Sequence, residues 1–202
     1  MTYYGQFDPP TDKVIEEFFP NKYTGIAIEV GAAHGIAASN TLHFEQLGWN
    51  CLCIEPNPKL YYQLQRNRKY VLNYAISDFN ADSVDFNVCT LGETEETAIS
   101  ALHLSPELLK EHVVSKIYTI KVNVRTLNYC LEKFFTPIDF ISIDTEGTEL
   151  EVLKGLDINK YLPKLLIVEN NFNDPWIEDY LNIFKYKKVK RHIINDFYER
   201  KL

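Results

Sequence analysis

Four carboxylates stand within or just after short apolar runs. Glu29 lies in Ile26-Ala-Ile-Glu-Val30, Glu55 follows Cys51-Leu-Cys-Ile54, Asp144 follows Ile138 to Ile143, and Glu169 follows Leu165 to Val168. An open α/β sheet presents its ligand crevice outside the carboxyl ends of its strands, so this placement predicts that the four acids share one crevice. Helix capping accounts for any one of them singly; the set of four points to function. Gly31 and Gly35 bracket a turn after the first run, and Glu55 ends the second, which is the local plan of a β-α-β unit that holds a ribose. Ala33 stands where a dinucleotide turn has its central glycine, so close approach of a pyrophosphate is disfavoured. No GxxxxGK[ST] sequence is present to cradle a triphosphate.

A nucleoside cofactor without a pyrophosphate asks less of this turn. Glu29 is suited to a cationic amino group and Glu55 to both hydroxyls of a ribose, roles that together fit S-adenosylmethionine. The sulfonium already makes the methyl group electrophilic. The protein must then align a nucleophile and, for a hydroxyl, remove its proton.

Several stretches resemble the FkbM family of S-adenosylmethionine-dependent methyltransferases. They are Glu29-Val-Gly-Ala-Ala-His-Gly35, Ile54-Glu-Pro-Asn-Pro58, Asn73-Tyr-Ala-Ile-Ser-Asp78, and above all Ile141-Ser-Ile-Asp-Thr-Glu-Gly-Thr-Glu149 with Glu151-Val-Leu-Lys-Gly155. The resemblance spans about Ile26 to Asn171. It implies a Rossmann-like class I methyltransferase sandwich: an α/β fold whose mostly parallel seven-stranded sheet has a terminal antiparallel strand and helices on both faces. It also implies that Glu29, Gly31 and Gly35 border the methionine part, Glu55 the ribose, and Ala75, Ile76 and Ser77 the adenine. Ala33, His34, Ser39 and Pro56 join the cofactor group, and Asp144, Thr145 and Glu146 lie under the transferable methyl. Family members are associated with O-methylation of sugars and secondary-metabolite hydroxyls, so the expected acceptor is a sugar, glycan or other polyhydroxylated molecule.

An unassisted carboxylate cannot deprotonate a sugar hydroxyl in advance, so proton removal must accompany attack or be helped by a metal. Asp144 and Glu146 are the catalytic candidates. His34 is a competing base, against a reading as a satisfied loop histidine. Asp144, Glu169 and Asn170 are similar to the magnesium set of catechol-type O-methyltransferases, with glutamate replacing the second aspartate, and hard oxygen ligands suit Mg²⁺ or Mn²⁺. Without a metal, Asp144 and Glu146 would hold loops while Glu169 and Asn170 orient substrate hydroxyls. Substrate contacts are expected from Ser100, His103 and Ser105 and from Asn170, Asn171, Asn173 and Trp176, because an aromatic face with amide and hydroxyl groups suits a sugar ring. His192 is a weaker candidate. Three alternatives stand beside this reading: a nucleotide-sugar oxidoreductase, a non-catalytic glycan- or protein-binding module on the same fold, and a nucleic-acid methyltransferase, the last set against by the acidic balance of the chain.

The elements that position these residues are legible as alternating strands and helices. Ile26 to Val30 and Cys51 to Glu55 read as buried parallel strands. Between them a helix capped by Ser39 or Asn40 should run to about Leu47 and stop at Gly48. Pro56-Asn-Pro58 leads into a helix ending near Arg68, and Val71 to Tyr74 reads as a third strand. Residues 83 to 89 and 117 to 124 alternate as strands, so an insertion or changed crossover separates them. Leu127 to Phe135 should be helical, Ile138 to Ile143 a strand, Thr148 to Leu153 a helix, Leu165 to Val168 a strand and Trp176 to Phe184 a helix. The basic segment and Asp196 to Lys201 supply the last strands. Residues 1–25 read as an arm or lid, with Tyr3 and Tyr4 securing it or closing the cleft, and residues 26–202 as a single methyltransferase domain.

With 202 residues, 46% of them hydrophobic, the chain can bury a core without metals or disulfides. Cys51, Cys53, Cys89 and Cys130 have no ligand-like spacing, and Cys51 and Cys53 should face one side of a strand. A net charge of -7 argues against broad nucleic-acid binding, and no Asn/Asp-Pro-Pro-Tyr motif is present. The basic stretch after Lys185 reads as solvated charge on an edge strand. No leader pattern or membrane span is evident, so a soluble cytoplasmic protein is expected.

Overall fold

In a computed structural model, which describes residues 2–19, 24–91, 98–104, 114–134 and 137–201, the chain builds a seven-stranded sheet and a separate four-stranded one. In chain order the first half contains α1 (Thr11–Glu16), β1 (Ile26–Val30), α2 (Leu42–Gln46), β2 (Asn50–Ile54), α3 (Pro58–Asn67) and β3 (Tyr70–Leu72). The inserted strands β4 (Ala75–Ile76), β5 (Ala81–Leu91), β6 (Ala98–Ala101) and β7 (Val114–Arg125) come next. They are followed by α4 (Leu127–Leu131), β8 (Phe140–Ile143), α5 (Glu149–Lys154), α6 (Ile158–Tyr161) and β9 (Leu165–Glu169). The chain ends in α7 (Pro175–Ile183), β10 (Tyr186–His192) and β11 (Asn195–Arg200).

The large sheet runs β10-β11-β9-β8-β1-β2-β3. Its pairings are parallel except those of β11, which is antiparallel to both β9 and β10. This is the α/β sandwich expected from the sequence. β1, β2, β8 and β9 are buried almost throughout, since helices cover both of their faces. On one face Ile28, Ile54, Ile141 and Leu166 pack with Leu127, Leu131, Val152, Ile158 and Leu181 from four helices. On the other, Val14 and Ile15 of α1 meet Phe44, Trp49, Phe140 and Phe197. The helix of the arm is therefore packed against the sheet. Edge strand β10 carries Lys187, Lys188, Lys190 and Arg191; Lys188 and Arg191 pair with Asp196, and Lys190 with Glu17.

Strands β4 to β7 form the second sheet, ordered β4-β7-β5-β6. The alternation at 83 to 89 and 117 to 124 marks one long antiparallel pair, from Ala81 opposite Val124 to Leu91 opposite Val114. Val84, Phe86, Val88 and Leu102 gather on one face with Val122.

Local chemistry explains most boundary differences. Asn57, Thr126 and Asp174 cap α3, α4 and α7 by accepting backbone N–H bonds. α2 is shorter than expected and its nominal cap is Thr41, because Ser39 and Thr41 both turn their hydroxyls to Glu29. Ser39 Oγ still accepts the N–H of Leu42. α4 stops at Leu131, and Phe135 lies outside the described residues. The one-turn helix α6, capped by Asp157, has too few residues for a periodic signal.

Candidate functional site

A cavity of ≈ 440 Å³ opens where β1, β2 and β8 end, and Phe86, Ser100 and Leu102 of the second sheet roof it. That volume suits a nucleoside-sized ligand. Glu29, Gly31, Ala33 and His34 line it from the first turn, Glu55 and Pro56 from the second, and Ala75 and Ile76 from β4. Asp144, Thr145 and Glu146 form the wall after β8. Gly35, Ser39, Ser77, Glu169 and Asn170, also expected at the site, do not line the cavity.

Hydrogen bonding from the protein already engages Glu29. Asn40 N–H reaches one oxygen at 2.6 Å, while Ser39 and Thr41 hydroxyls and the Arg68 guanidinium reach the other. Arg68 is buried against Glu29 and Glu45, and also donates to Ser39, Thr41 and the Gly35 carbonyl. A buried charge needs such a partner. The amino-group role expected of Glu29 is thus met by protein donors, and its visible work is to tie the β1 turn to the start of α2. Gly35 serves the same packing, since a Cβ there would sit 2.5 Å from Leu64 Cδ1 and 2.7 Å from Arg68 Cγ. Gly31, at φ 85°, lets β1 and β8 meet: a Cβ would fall 1.8 Å from the Asp144 carbonyl oxygen. Asp144 N–H in turn donates to the Val30 carbonyl at 3.0 Å.

Glu55 is held differently. One oxygen accepts the N–H of Ala33 at 3.0 Å and the other that of Asn57 at 2.8 Å, and each keeps lone-pair capacity toward the cavity. Burial raises its pKa to about 7, opposed by those two backbone donors, with the Asp144 charge adding to the rise. Two ribose hydroxyls are the kind of donors this carboxyl lacks. Apolar Leu60 and Ile76 beside it complete a wall suited to a nucleoside, so the residues present fit S-adenosylmethionine.

The Asp144–Gly147 loop is shaped by Glu149. Its Oε1 accepts from Thr145 N–H, Thr145 Oγ1 and Gly147 N–H, at 2.9, 3.1 and 3.0 Å. Glu146 adopts a left-handed φ of 59° in this loop. Burial, then the charge of Glu149, pushes the Asp144 carboxyl up, and a hydrogen bond from Glu169 partly offsets this. No donor among the described residues reaches Glu169 Oε2. Burial and the neighbouring Asp144 charge hold Glu169 far above the carboxylate range, as a neutral acid donating to Asp144.

The Mg²⁺ or Mn²⁺ set expected from Asp144, Glu169 and Asn170 does not fit this arrangement. The Asn170 amide donates to Asp174 O and Asp196 Oδ2 and accepts from Asp174 N–H, so its oxygen and nitrogen are spent on the β9–α7 turn. Among the described residues, no group of three or more His, Cys, Asp or Glu side chains could hold a metal ion.

Other expected residues are scattered. His34 Nδ1 accepts the Ile36 N–H. His192 Nε2 bonds the Pro9 carbonyl, Asn173 receives Arg191, and Trp176 is 64% exposed. None of these three lines the cavity, nor do His103 and Asn171; Ser105 lies outside the described residues. Tyr3 and Tyr4 secure the arm through Glu16 and Gln46, while Gln6 reaches the cavity. Sequence reasoning missed Gln6, Leu60, Tyr74, Phe86 and Leu102 at the site, and Arg68 and Glu149 behind it. Only the position of Glu149 at the start of a helix after a glycine offered a signal.

The sheet order, with one antiparallel strand beside β9 and a cavity at the strand ends, is that of the Rossmann-like class I methyltransferase sandwich. A family model described as the methyltransferase FkbM domain matches residues 29–191, and the chain belongs to that family. This sets aside the oxidoreductase and non-enzymatic alternatives. Among solved structures, the fold is similar to M. capricolum TrmK in complex with S-adenosyl-homocysteine, with a TM-score of 0.53 and 11% identity over 94% of this chain and 67% of that one. It is also similar to the METTL16 methyltransferase domain, with a TM-score of 0.52 and 11% identity over 95% of this chain and 65% of that one. The chain thus spans about two thirds of each, and at this identity the likeness is one of fold. No match was found among curated proteins. No helix among the described residues is long and apolar enough to cross a membrane.

Proposed function

We propose that the protein transfers a methyl group from S-adenosylmethionine to a hydroxyl of a sugar or glycan. The observation that carries this reading is that Glu55 and Asp144, from the strands on either side of β1, line one cavity in an FkbM-family chain. Glu55 accepts the ribose hydroxyls, Ala75 and Ile76 flank the base, and the Gly31–His34 turn borders the methionine part. Bound there, S-adenosylmethionine supplies an electrophilic methyl on a sulfonium centre.

Asp144 then faces the attacking hydroxyl. Its raised pKa makes it a better proton acceptor than an ordinary carboxylate, and Glu169 steadies it by donating a hydrogen bond. The methyl group that bound S-adenosylmethionine would supply goes to the acceptor oxygen, and Asp144 would take the proton that this oxygen gives up. Thr145 and Glu146 offer polar contacts to the rest of the acceptor.

The test is incubation with methyl-labelled S-adenosylmethionine and a panel of saccharides, with and without Mg²⁺ or Mn²⁺, followed by mass location of the label. Label on a saccharide oxygen in metal-free buffer is expected. Label confined to protein or nucleic-acid acceptors would overturn the saccharide reading.

A further inference from the structure

We propose that Ser100 is a specificity-determining residue for the methyl acceptor, its hydroxyl hydrogen-bonding one acceptor hydroxyl beneath the second sheet. This rests on the saccharide reading above. Ser100 lines the cavity, yet its Oγ is buried and has no hydrogen-bond partner among the described residues. A buried hydroxyl without a partner is costly, and strands seldom retain one that nothing satisfies. Its neighbours in the roof, Phe86 and Leu102, are apolar and supply no donor or acceptor side chain. The missing partner must therefore come from whatever fills the cavity.

Strand register assigns that partner to the acceptor and not to the cofactor. Ala75 is level with Val124 on β7, whereas Ser100, through Val88, is level with Tyr118. That span of β7 is about 20 Å long, and β6 lies at the opposite edge of the sheet from β4. Ser100 is thus at the far end of the roof from the adenine wall. The cavity that Ser100 roofs is also lined by Asp144, Thr145 and Glu146 of the loop after β8. An acceptor held here meets an aromatic and aliphatic ceiling with one hydroxyl in it, and a polar wall opposite at Thr145 and Glu146. Such a slot matches a pyranose ring, which has an apolar face and a hydroxyl rim.

The experiment compares wild type with Ser100→Ala and Ser100→Thr. Methyl transfer is measured to methyl glucoside, mannoside, galactoside and rhamnoside, with S-adenosylhomocysteine binding measured by calorimetry. For the best of these acceptors, Ser100→Ala should lower kcat/KM about tenfold to a hundredfold, chiefly through KM, while Ser100→Thr retains most of it. S-adenosylhomocysteine affinity and Tm should not fall in Ser100→Ala, because the removed hydroxyl has no partner among the described residues. Equal kcat/KM for Ser100→Ala and wild type would overturn the role of Ser100 and leave the saccharide reading intact. A loss of cofactor affinity in Ser100→Ala would overturn it by moving the hydroxyl to the cofactor, and a lowered Tm would do so by making it structural. Binding of S-adenosylhomocysteine without transfer to any of the four glycosides by wild type would overturn the saccharide reading, and the role of Ser100 with it.

Discussion

Raising the pH from about 6 to about 8 should tighten S-adenosylhomocysteine binding roughly tenfold. Burial holds the Glu55 pKa at about 7, so its carboxylate fraction climbs from about a tenth to about nine tenths over that interval. In the proposed placement of the cofactor, ribose hydroxyls donate to the carboxylate, so apparent affinity follows the fraction of competent protein. The same group acts on folding with a defined sign. Its folded pKa is raised above the ordinary 4.5, so the associated stability is complete below about pH 4.5 and is lost as pH rises through about 7. The full loss is about 3 kcal/mol for a group this buried. In Glu55→Gln, binding should be weaker at all pH values and nearly flat between about pH 6 and 8, and that part of the stability slope should vanish. Calorimetric titration at several pH values, paired with urea unfolding of the free protein, measures both. A wild-type affinity that is flat across this interval, or an unchanged slope in Glu55→Gln, would refute the reasoning.

Three further outcomes follow from the same geometry. Gly31→Ala should lower stability by about 2 to 4 kcal/mol, from left-handed strain and a Cβ 1.8 Å from the Asp144 carbonyl; an unchanged Tm would show that the β1–β8 approach is not close. Arg68→Met should cost about 3 to 5 kcal/mol by leaving Glu29 buried without a countercharge. Adding Glu29→Gln should restore part of that loss in chemical unfolding, and strict additivity of the two changes would count against the pair. Glu169→Gln should stabilise the protein relative to wild type above about pH 7 and have less effect near pH 5, because above about pH 4.5 the unfolded chain ionises this acid while the fold holds it protonated, so wild type loses stability progressively with pH and the amide does not; a stability difference independent of pH would contradict the protonated pair.

The central strands were legible because burial on both faces leaves them as unbroken apolar runs, and the acids closing those runs marked the crevice edge. Glu55 and Asp144 were found that way and do line one cavity. Glu29 was found by the same rule, but its partner Arg68 is 39 residues away and no local pattern links them. Asn170 follows Glu169 in sequence, yet its side chain turns to Asp174 and Asp196 while Glu169 turns to Asp144. Adjacency at a strand end predicted a shared ligand, whereas alternation sends neighbouring side chains to opposite faces. The roof was visible only as two alternating stretches. Its pairing closes over a long stretch of intervening chain, and β4, with two residues, is below any periodic signal. Ser100 was singled out by residue type, but its want of a partner is a property of the packed sheet.

Asp144 carries the proposed chemistry, and the most direct measurement is methyl transfer by Asp144→Asn beside wild type, with S-adenosylhomocysteine binding followed in parallel. The variant should bind within about threefold of wild type and transfer at least about a hundredfold more slowly, because proton removal is lost while the cofactor walls stay in place. Transfer at the wild-type rate by a folded, cofactor-binding Asp144→Asn protein would contradict the assignment.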